Sequence, residues 1–199
     1  MNTQSHNPHR PGIKEKLFFL FSGIVVSAPF PFLVTSLVSY ALLRDLPQFW
    51  ALFLAVAFIG PLVEEFAKAY PLFFRHGETE KSLMTLGFLT GLGFGITEFF
   101  FYVLMLHAPI PLRLPGVLFH ATNTTIIAYG IAKNKSFPFY LLTVALHFSY
   151  NFFVLLGQFW VMGAFIALLG SYFLAWFFSV QAREKTVGQE IYFPRTAAD

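Results

Sequence analysis

Two adjacent carboxylates, Glu64 and Glu65, and one ammonium, Lys68, stand inside an apolar run over about residues 49–74. A run of this length is typical of a membrane-spanning helix. A charge at the centre of such a helix costs about 2.5–3.5 kcal/mol on insertion scales, so intramembrane ionisable residues usually mark functional sites. On a helix, Lys68 is four residues from Glu64 and three from Glu65, and it can compensate a carboxylate locally. A buried ion cluster without chemistry is the alternative.

Three further ionisable residues fall in other apolar runs: Glu98, His120 and His147. The remaining carboxylates and histidines stand in tails and loops. At about 1.5 Å per residue, these residues and Glu64 can meet near the middle of a hydrocarbon core about 30 Å thick. Polar groups scattered over lipid-facing surfaces would be costly, which favours one shared, water-filled cavity.

Helical spacing adds two polar neighbours. Asn151 follows His147 by four residues, and Thr124 follows His120 by four, so each pair shares one helix face. For either histidine alone, an interhelical hydrogen bond is an equally good interpretation. The joint pattern favours a site.

The composition defines the class of protein. The chain has 199 residues, of which 56% are hydrophobic and 12% charged, whereas a soluble domain carries about 25% charged residues. We therefore expect an all-α, polytopic transmembrane protein in the cell membrane, surrounded by the lipid bilayer. It has no cysteine, which excludes disulfides and thiolate chemistry. Its basic residues flank the apolar runs without forming one patch, so we expect no nucleic-acid partner.

The apolar runs predict one bundle of six helices, at about residues 17–43, 48–74, 82–106, 114–132, 137–156 and 159–180. Residues 1–16 and 181–199 are predicted to be polar tails. Pro29 and Pro31 predict a kink or a division in the first span. Gly87, Gly91 and Gly95, four residues apart, predict a groove in the third span that another helix can approach closely.

The distribution of Lys and Arg predicts the orientation. With a cytoplasmic N-terminus, the outer loops hold only Arg44 and Arg113, and both termini are cytoplasmic. The inner segments then hold ten basic residues: Arg10, Lys14, Lys16, Arg75, Lys81, Lys133, Lys135, Arg183, Lys185 and Arg195.

Four elements stand together: Glu64-Glu65-x-x-Lys68, Phe94-x-x-x-Glu98, His120 with Thr124, and His147-x-x-x-Asn151. Over about residues 60–151 this pattern resembles the PrsW family of intramembrane proteases, which shares a superfamily with the type II CAAX prenyl endopeptidases and the CPBP bacteriocin-immunity proteins. The prenyl endopeptidases carry Glu-Glu-x-x-x-Arg and a histidine at the position of Glu98, and these differences favour the PrsW branch. The resemblance implies cleavage of a single-span membrane protein, such as an anti-sigma factor, near the outer side of the membrane.

The resemblance and the spacing to Lys68 both favour Glu64 as the base that activates water, since a carboxylate near an ammonium stays ionised. Glu65 would then orient the lysine, and His147 and Asn151 would donate hydrogen bonds to the oxyanion.

His120 and Glu98 would orient the water or bind a metal. Two histidines with Glu64 or Glu98 suit Zn²⁺, although the zincin motif His-Glu-x-x-His is absent. Both a zinc enzyme and a metal-free glutamate protease stay open.

Two other functions use the same residues. A proton- or cation-coupled transporter could employ the buried Glu and His side chains as a relay, but the chain is short and has no inverted repeat. A non-catalytic immunity or scaffold protein is the second alternative, and the presence of Glu64, His120 and His147 argues against it.

Overall fold

The computed structural model of the chain describes residues 9–75, 79–156 and 160–183. Of the two predicted tails, residues 1–8 and 184–199 lie outside the described residues. The described part folds into α-helices joined by short turns and by π-helical and 3₁₀ segments: α1 Ile13–Ser22, α2 Pro29–Val38, α3 Gln48–Leu52, α4 Gly60–Ala69, α5 Glu80–Phe100, α6 Ile110–Ala132, α7 Ser136–Leu155 and α8 Trp160–Gln181.

Five helical stretches are long and apolar enough to cross a membrane: Ile13–Leu43, Gln48–Phe74, Glu80–Met105, Ser136–Leu155 and Met162–Gln181. With its 23 residues, α6 is also long enough, because it extends about 34 Å. The predicted all-α, polytopic bundle of about six helices is confirmed. The first helix begins at Ile13, within the segment assigned to the N-terminal tail.

The α5–α6 connection is shorter than predicted. We expected a loop through Arg113, but α6 begins at Ile110 and places Arg113 in its first turn. Pro111 is compatible with this start, because the first residues of a helix do not need a backbone N–H donor. Arg113 therefore belongs to a helix of the bundle and not to a loop.

The first span is divided near its prolines. α1 ends at Ser22, a π-helical segment covers Gly23–Ser27, and α2 begins at Pro29. Further π-helical segments occupy Ser39–Leu43, Phe53–Ile59 and Phe101–Met105. π-Helical segments are rare in proteins, and those that do occur often lie at functional sites.

The glycines of α5 bring α5 and α6 together, as their spacing predicted. A Cβ atom on Gly87 would lie 2.6 Å from the Cβ of Ala128, and one on Gly95 would lie 2.8 Å from the Cα of Val117. At Gly91 it would overlap the carbonyl oxygen of His120. Only glycine permits this approach, and it sets the C-terminal half of α5 beside the middle of α6.

α6 is the central helix. All of its residues from Phe119 to Ala132 are buried, with α5, α7 and α8 packed around it. Its polar side chains find partners there: the Asn123 amide donates to the Thr143 carbonyl of α7 at 2.9 Å, and the Thr122 hydroxyl lies 2.8 Å from that of Ser171 in α8.

Candidate active site

A buried ion pair forms the base of the site. Lys68 and Glu65 have fully buried side chains, and the Lys68 Nζ lies 2.6 Å from the Glu65 Oε1. The same oxygen accepts a hydrogen bond from the Nδ1 of His147 at 2.8 Å. Within the described residues, the ion-pair partner of Lys68 is therefore Glu65, at i,i+3, rather than Glu64, at i,i+4.

Lys68 also connects α4 to α6. Its Nζ lies 3.0 Å from the Nδ1 of His120 and 4.7 Å from the centre of the Phe94 ring in α5. The other ring nitrogen of His120, Nε2, is hydrogen-bonded to the Oε2 of Glu98. One chain of contacts thus runs from Glu98 through His120, Lys68 and Glu65 to His147.

These contacts assign opposite tautomers to the two histidines. An ammonium only donates, so His120 accepts at Nδ1 and carries its proton on Nε2, directed at Glu98. An ionised carboxylate only accepts, so His147 carries its proton on Nδ1 and has a lone pair on Nε2. His120 is therefore a donor on its Glu98 side, whereas His147 presents an acceptor toward Glu64.

Glu64 differs from its neighbour Glu65. Its side chain is 18% exposed, and its Oε2 lies 3.7 Å from the Nε2 of His147, which is too long for a hydrogen bond. That oxygen is buried and, among the residues the structure describes, has no hydrogen-bond partner. A buried polar atom of this kind calls for a ligand, a water or a proton. Glu65 is therefore bonded to Lys68 and His147, whereas Glu64 makes a hydrogen bond to neither of them.

A cavity of about 570 Å³ adjoins Glu64. Glu98, Asn151 and Gly60 also face it, and it lies among α2, α4, α5 and the intervening π-helical segments. Its volume falls within the range of small-molecule and peptide pockets, about 300–1,000 Å³. The opposite wall carries apolar residues and hydroxyl side chains of the N-terminal span, including Phe32, Thr35, Ser36 and Ser39.

Asn151 and Thr124, which were each predicted to share a helix face with a histidine, differ in their placement. Asn151 donates from its amide to the Val56 carbonyl at 2.8 Å and lines the cavity. Thr124 instead donates to the His120 carbonyl at 2.9 Å and faces Gly91 of α5. The structure therefore brings together every predicted site residue except Thr124, which supports the helix contact behind His120.

The predicted metal ligands can be tested against this geometry. Glu64, His120 and His147 each offer one ligand atom, and these atoms lie within 4.8 Å of one another. Two histidines and one glutamate form an accepted zinc set, with a fourth position for water. Glu65 orients His147 through Nδ1, as carboxylates commonly do behind metal-bound histidines. His120 would have to exchange its hydrogen bond to Glu98 for the ion. In type and proximity, these three residues fit a divalent cation; among the described residues, the group found does not include Glu98, the fourth predicted ligand.

Aromatic residues that the sequence analysis did not single out complete the site. The Phe119 ring stacks on that of Tyr150, with centroids 4.6 Å apart, and contacts the His147 ring edge-on at 5.5 Å. Tyr150 stands three residues after His147, on the same helix face, and this spacing is the signal that could have indicated it. The Phe119 ring, stacked on Tyr150, packs against the His147 ring and restricts its rotation.

The fold and the site define a class: a polytopic helical membrane protein with a glutamate–histidine cluster buried at mid-bundle beside a cavity. The match to the family described as PrsW family intramembrane metalloprotease extends over residues 13–182. The chain belongs to this family, and it is therefore an intramembrane protease that acts on a membrane protein within the bilayer. No curated protein and no solved structure matches it. Membership favours the protease over the transporter and scaffold alternatives.

Proposed function

We propose that the chain hydrolyses a peptide bond of a single-span protein in the cell membrane, with Glu64 as the general base. The observation that carries this proposal is the difference between the two adjacent carboxylates. Glu65 is fully buried and its Oε1 is bonded to Lys68 and His147, whereas Glu64 is 18% exposed and lines the cavity. Of the two, Glu64 is the carboxylate that can take a proton from a water that attacks a substrate in the cavity.

His147 is proposed to pass that proton onward. Its Nε2 lone pair faces Glu64, and Glu65 on the other side stabilises the imidazolium that forms when Nε2 gains a proton. The hydroxide forms a bond to the carbonyl carbon. The protonated His147 then donates a hydrogen bond to the oxyanion, and it transfers this proton to the leaving nitrogen as the C–N bond breaks and the carbonyl re-forms. The products are a carboxylic acid and an amine.

Asn151 is proposed to donate to the oxyanion as well. One of its two N–H bonds is used by the Val56 carbonyl, which fixes the amide plane and leaves the second N–H. Removing one oxyanion donor typically lowers kcat by about 10²–10³-fold. Glu98, held by the Nε2–H of His120, faces the same cavity and is placed to orient the attacking water.

A bound metal would use the same residues. Glu64, His120 and His147 would hold it, and a divalent cation in such a set would acidify a water ligand and polarise the substrate carbonyl. Glu65 and Lys68 would keep His147 and His120 in position in either case.

The proposed substrate is one membrane-spanning segment that reaches the cavity sideways. Large apolar side chains of α2 cover the outer surface of the bundle next to the cavity, among them Phe32 and Leu33, which are 60% and 58% exposed. A substrate in the lipid would meet this helix first. The resemblance to PrsW proteases favours a single-span protein such as an anti-sigma factor.

The test compares three glutamine variants of the purified protein in detergent, with a library of transmembrane substrates. Glu64→Gln should lower kcat by at least about 10²–10⁴-fold, the contribution of a general base, while the protein stays folded. Glu80→Gln is the matched control, because Glu80 is a buried carboxylate in an ion pair with Lys133, away from the cavity. It should retain cleavage.

Glu65→Gln separates the two carboxylates. It should lower stability as well as activity, since it removes the partner of Lys68. Undiminished cleavage by Glu64→Gln would refute the assignment of the base, and a folded but inactive Glu65→Gln beside an active Glu64→Gln would reverse the two roles.

The metal is tested on the same preparations. A zinc enzyme should contain about one ion per chain by the stoichiometry of a three-ligand site, and the content should fall in His120→Ala and His147→Ala. Chelation should stop cleavage, and zinc should restore it. Full activity in metal-free protein would instead assign a glutamate protease.

A further inference from the structure

A second, smaller cavity of about 50 Å³ is also lined by Glu98. His120, Asn151 and Arg113 line it as well. Glu98 and Asn151, together with Val56 and Tyr102, also line the larger cavity. The two cavities therefore meet at the residues to which we assign the chemistry.

The small cavity has the size and lining of a water site. A water molecule needs about 10–15 Å³ of cavity volume and two to four polar partners. The small cavity therefore has room for about three waters. A guanidinium, two phenols, a carboxylate and an amide line it, from Arg113, Tyr102, Tyr150, Glu98 and Asn151. The substrate cavity, by comparison, has a largely apolar outer wall.

The position of Arg113 connects this cavity to the membrane surface. Arg113 lies in the first turn of α6, seven residues and therefore about 10 Å before His120. Its guanidinium lies 3.6 Å from the centre of the Tyr102 ring. A charged side chain near a helix end keeps its head in water, so a hydrated Arg113 guanidinium would open this cavity to water.

We propose that this small cavity is the route by which water reaches the active site from the membrane surface at the α5–α6 connection. The inference rests on the proposed function, because it supplies the second substrate of the hydrolysis. The membrane segment enters from α2, and water enters along α6, past Arg113 and Gly116. Both residues line the small cavity and not the large one, so water can still enter while substrate fills the large cavity.

Cysteine accessibility tests the route without any cleavage. The chain has no native cysteine. Gly116 lines the small cavity, and a Cβ there would lie 3.6 Å from the Tyr150 hydroxyl, an ordinary contact. Leu118, two residues along the same helix, is 54% exposed on the outer surface of the bundle and is the matched control in lipid.

In sealed vesicles, a charged, membrane-impermeant thiol reagent should modify Gly116→Cys from the side of the α5–α6 connection, because the reagent needs a hydrated thiolate. Leu118→Cys should stay unmodified. No modification of Gly116→Cys, modification only from the opposite side, or equal modification of both positions would overturn the route.

A cavity-filling variant gives the kinetic test. Gly116→Leu should lower kcat with KM unchanged, since it restricts water and not substrate binding, and Gly116→Ala should have little effect. An unchanged kcat in folded Gly116→Leu would contradict the route. If labelling fails while cleavage persists, only the route is wrong; if labelling succeeds in a protein that cleaves no substrate, the proposed function is at fault.

Discussion

Replacing Lys68 by alanine should destabilise the protein more than any other single change in the site. The Lys68 and Glu65 side chains are both fully buried, with Nζ and Oε1 2.6 Å apart, and the second oxygen of Glu65 has no hydrogen-bond partner within the described part of the chain. Without the ammonium, the Glu65 carboxylate keeps only the hydrogen bond from His147, and His120 loses its donor at Nδ1.

The size of the effect follows from the burial. Breaking a buried ion pair by removing one partner typically costs about 3–5 kcal/mol, because the other charge stays buried and uncompensated. A folded domain is stable by only about 5–15 kcal/mol, so Lys68→Ala should remove about a fifth or more of the free energy of unfolding. Replacing both partners by neutral residues of similar volume is often close to neutral.

The assay is a double-mutant cycle read by equilibrium unfolding in detergent. Lys68→Ala is measured against the parent protein, Lys68→Met and Glu65→Gln are measured alone and together, and Lys68→Arg is the variant that retains the charge. We expect the double variant to be more stable than the sum of the single changes by about 0.5–3 kcal/mol, the usual coupling between contacting residues. Equal stability of Lys68→Ala and the parent protein would refute the reasoning, since it would mean that the ammonium reaches water.

Three other predictions concern the bundle as a whole. Reporter fusions after Arg44 and after Lys81 should give outside and inside signals, and the same signal at both would contradict the proposed orientation. Cysteines replacing Glu98 and His147 should be joined by a short crosslinker; failure with several linker lengths would count against their convergence. Gly91→Leu should cost at least about 1–3 kcal/mol through overpacking, because its side chain meets the backbone of α6, and an unchanged unfolding transition would argue against that contact.

The sequence predicted much of this architecture for two physical reasons. Apolar runs of membrane length have few alternatives to a helix, because lipid offers no partner to an unpaired backbone group. The same shortage makes intramembrane polar groups converge, so the common depth of Glu64, Glu98, His120 and His147 predicted that they would meet. The glycine spacing on α5 predicted the contact face, and α6 lies against it.

Which side chains bond to one another within the site could not be predicted, because each pairing depends on a residue from another helix. Both carboxylates lie within reach of Lys68 on an isolated helix, and the position of His120 selects Glu65. Thr124 shares a face with His120, yet its hydroxyl returns to the backbone of its own helix. The π-helical segments consist of ordinary apolar residues, and no spacing in the sequence indicates them. α6 begins four residues before its predicted start, which places Arg113 in the helix, and helix ends are where sequence boundaries are least reliable.

α6 shows why hydropathy alone underestimates such a site. It is long enough to cross the membrane but is not among the five most apolar stretches, because Thr122, Asn123, Thr124 and Thr125 follow His120 without interruption. Facing lipid, these groups would be costly. Surrounded by other helices, they bond to the backbone of α6 itself and to α7 and α8, so they add little cost and fix the rotation of the helix. That rotation is what aims His120 at Lys68 and Glu98. The polarity that makes α6 a poor membrane span by composition therefore also makes it the helix that positions the chemistry.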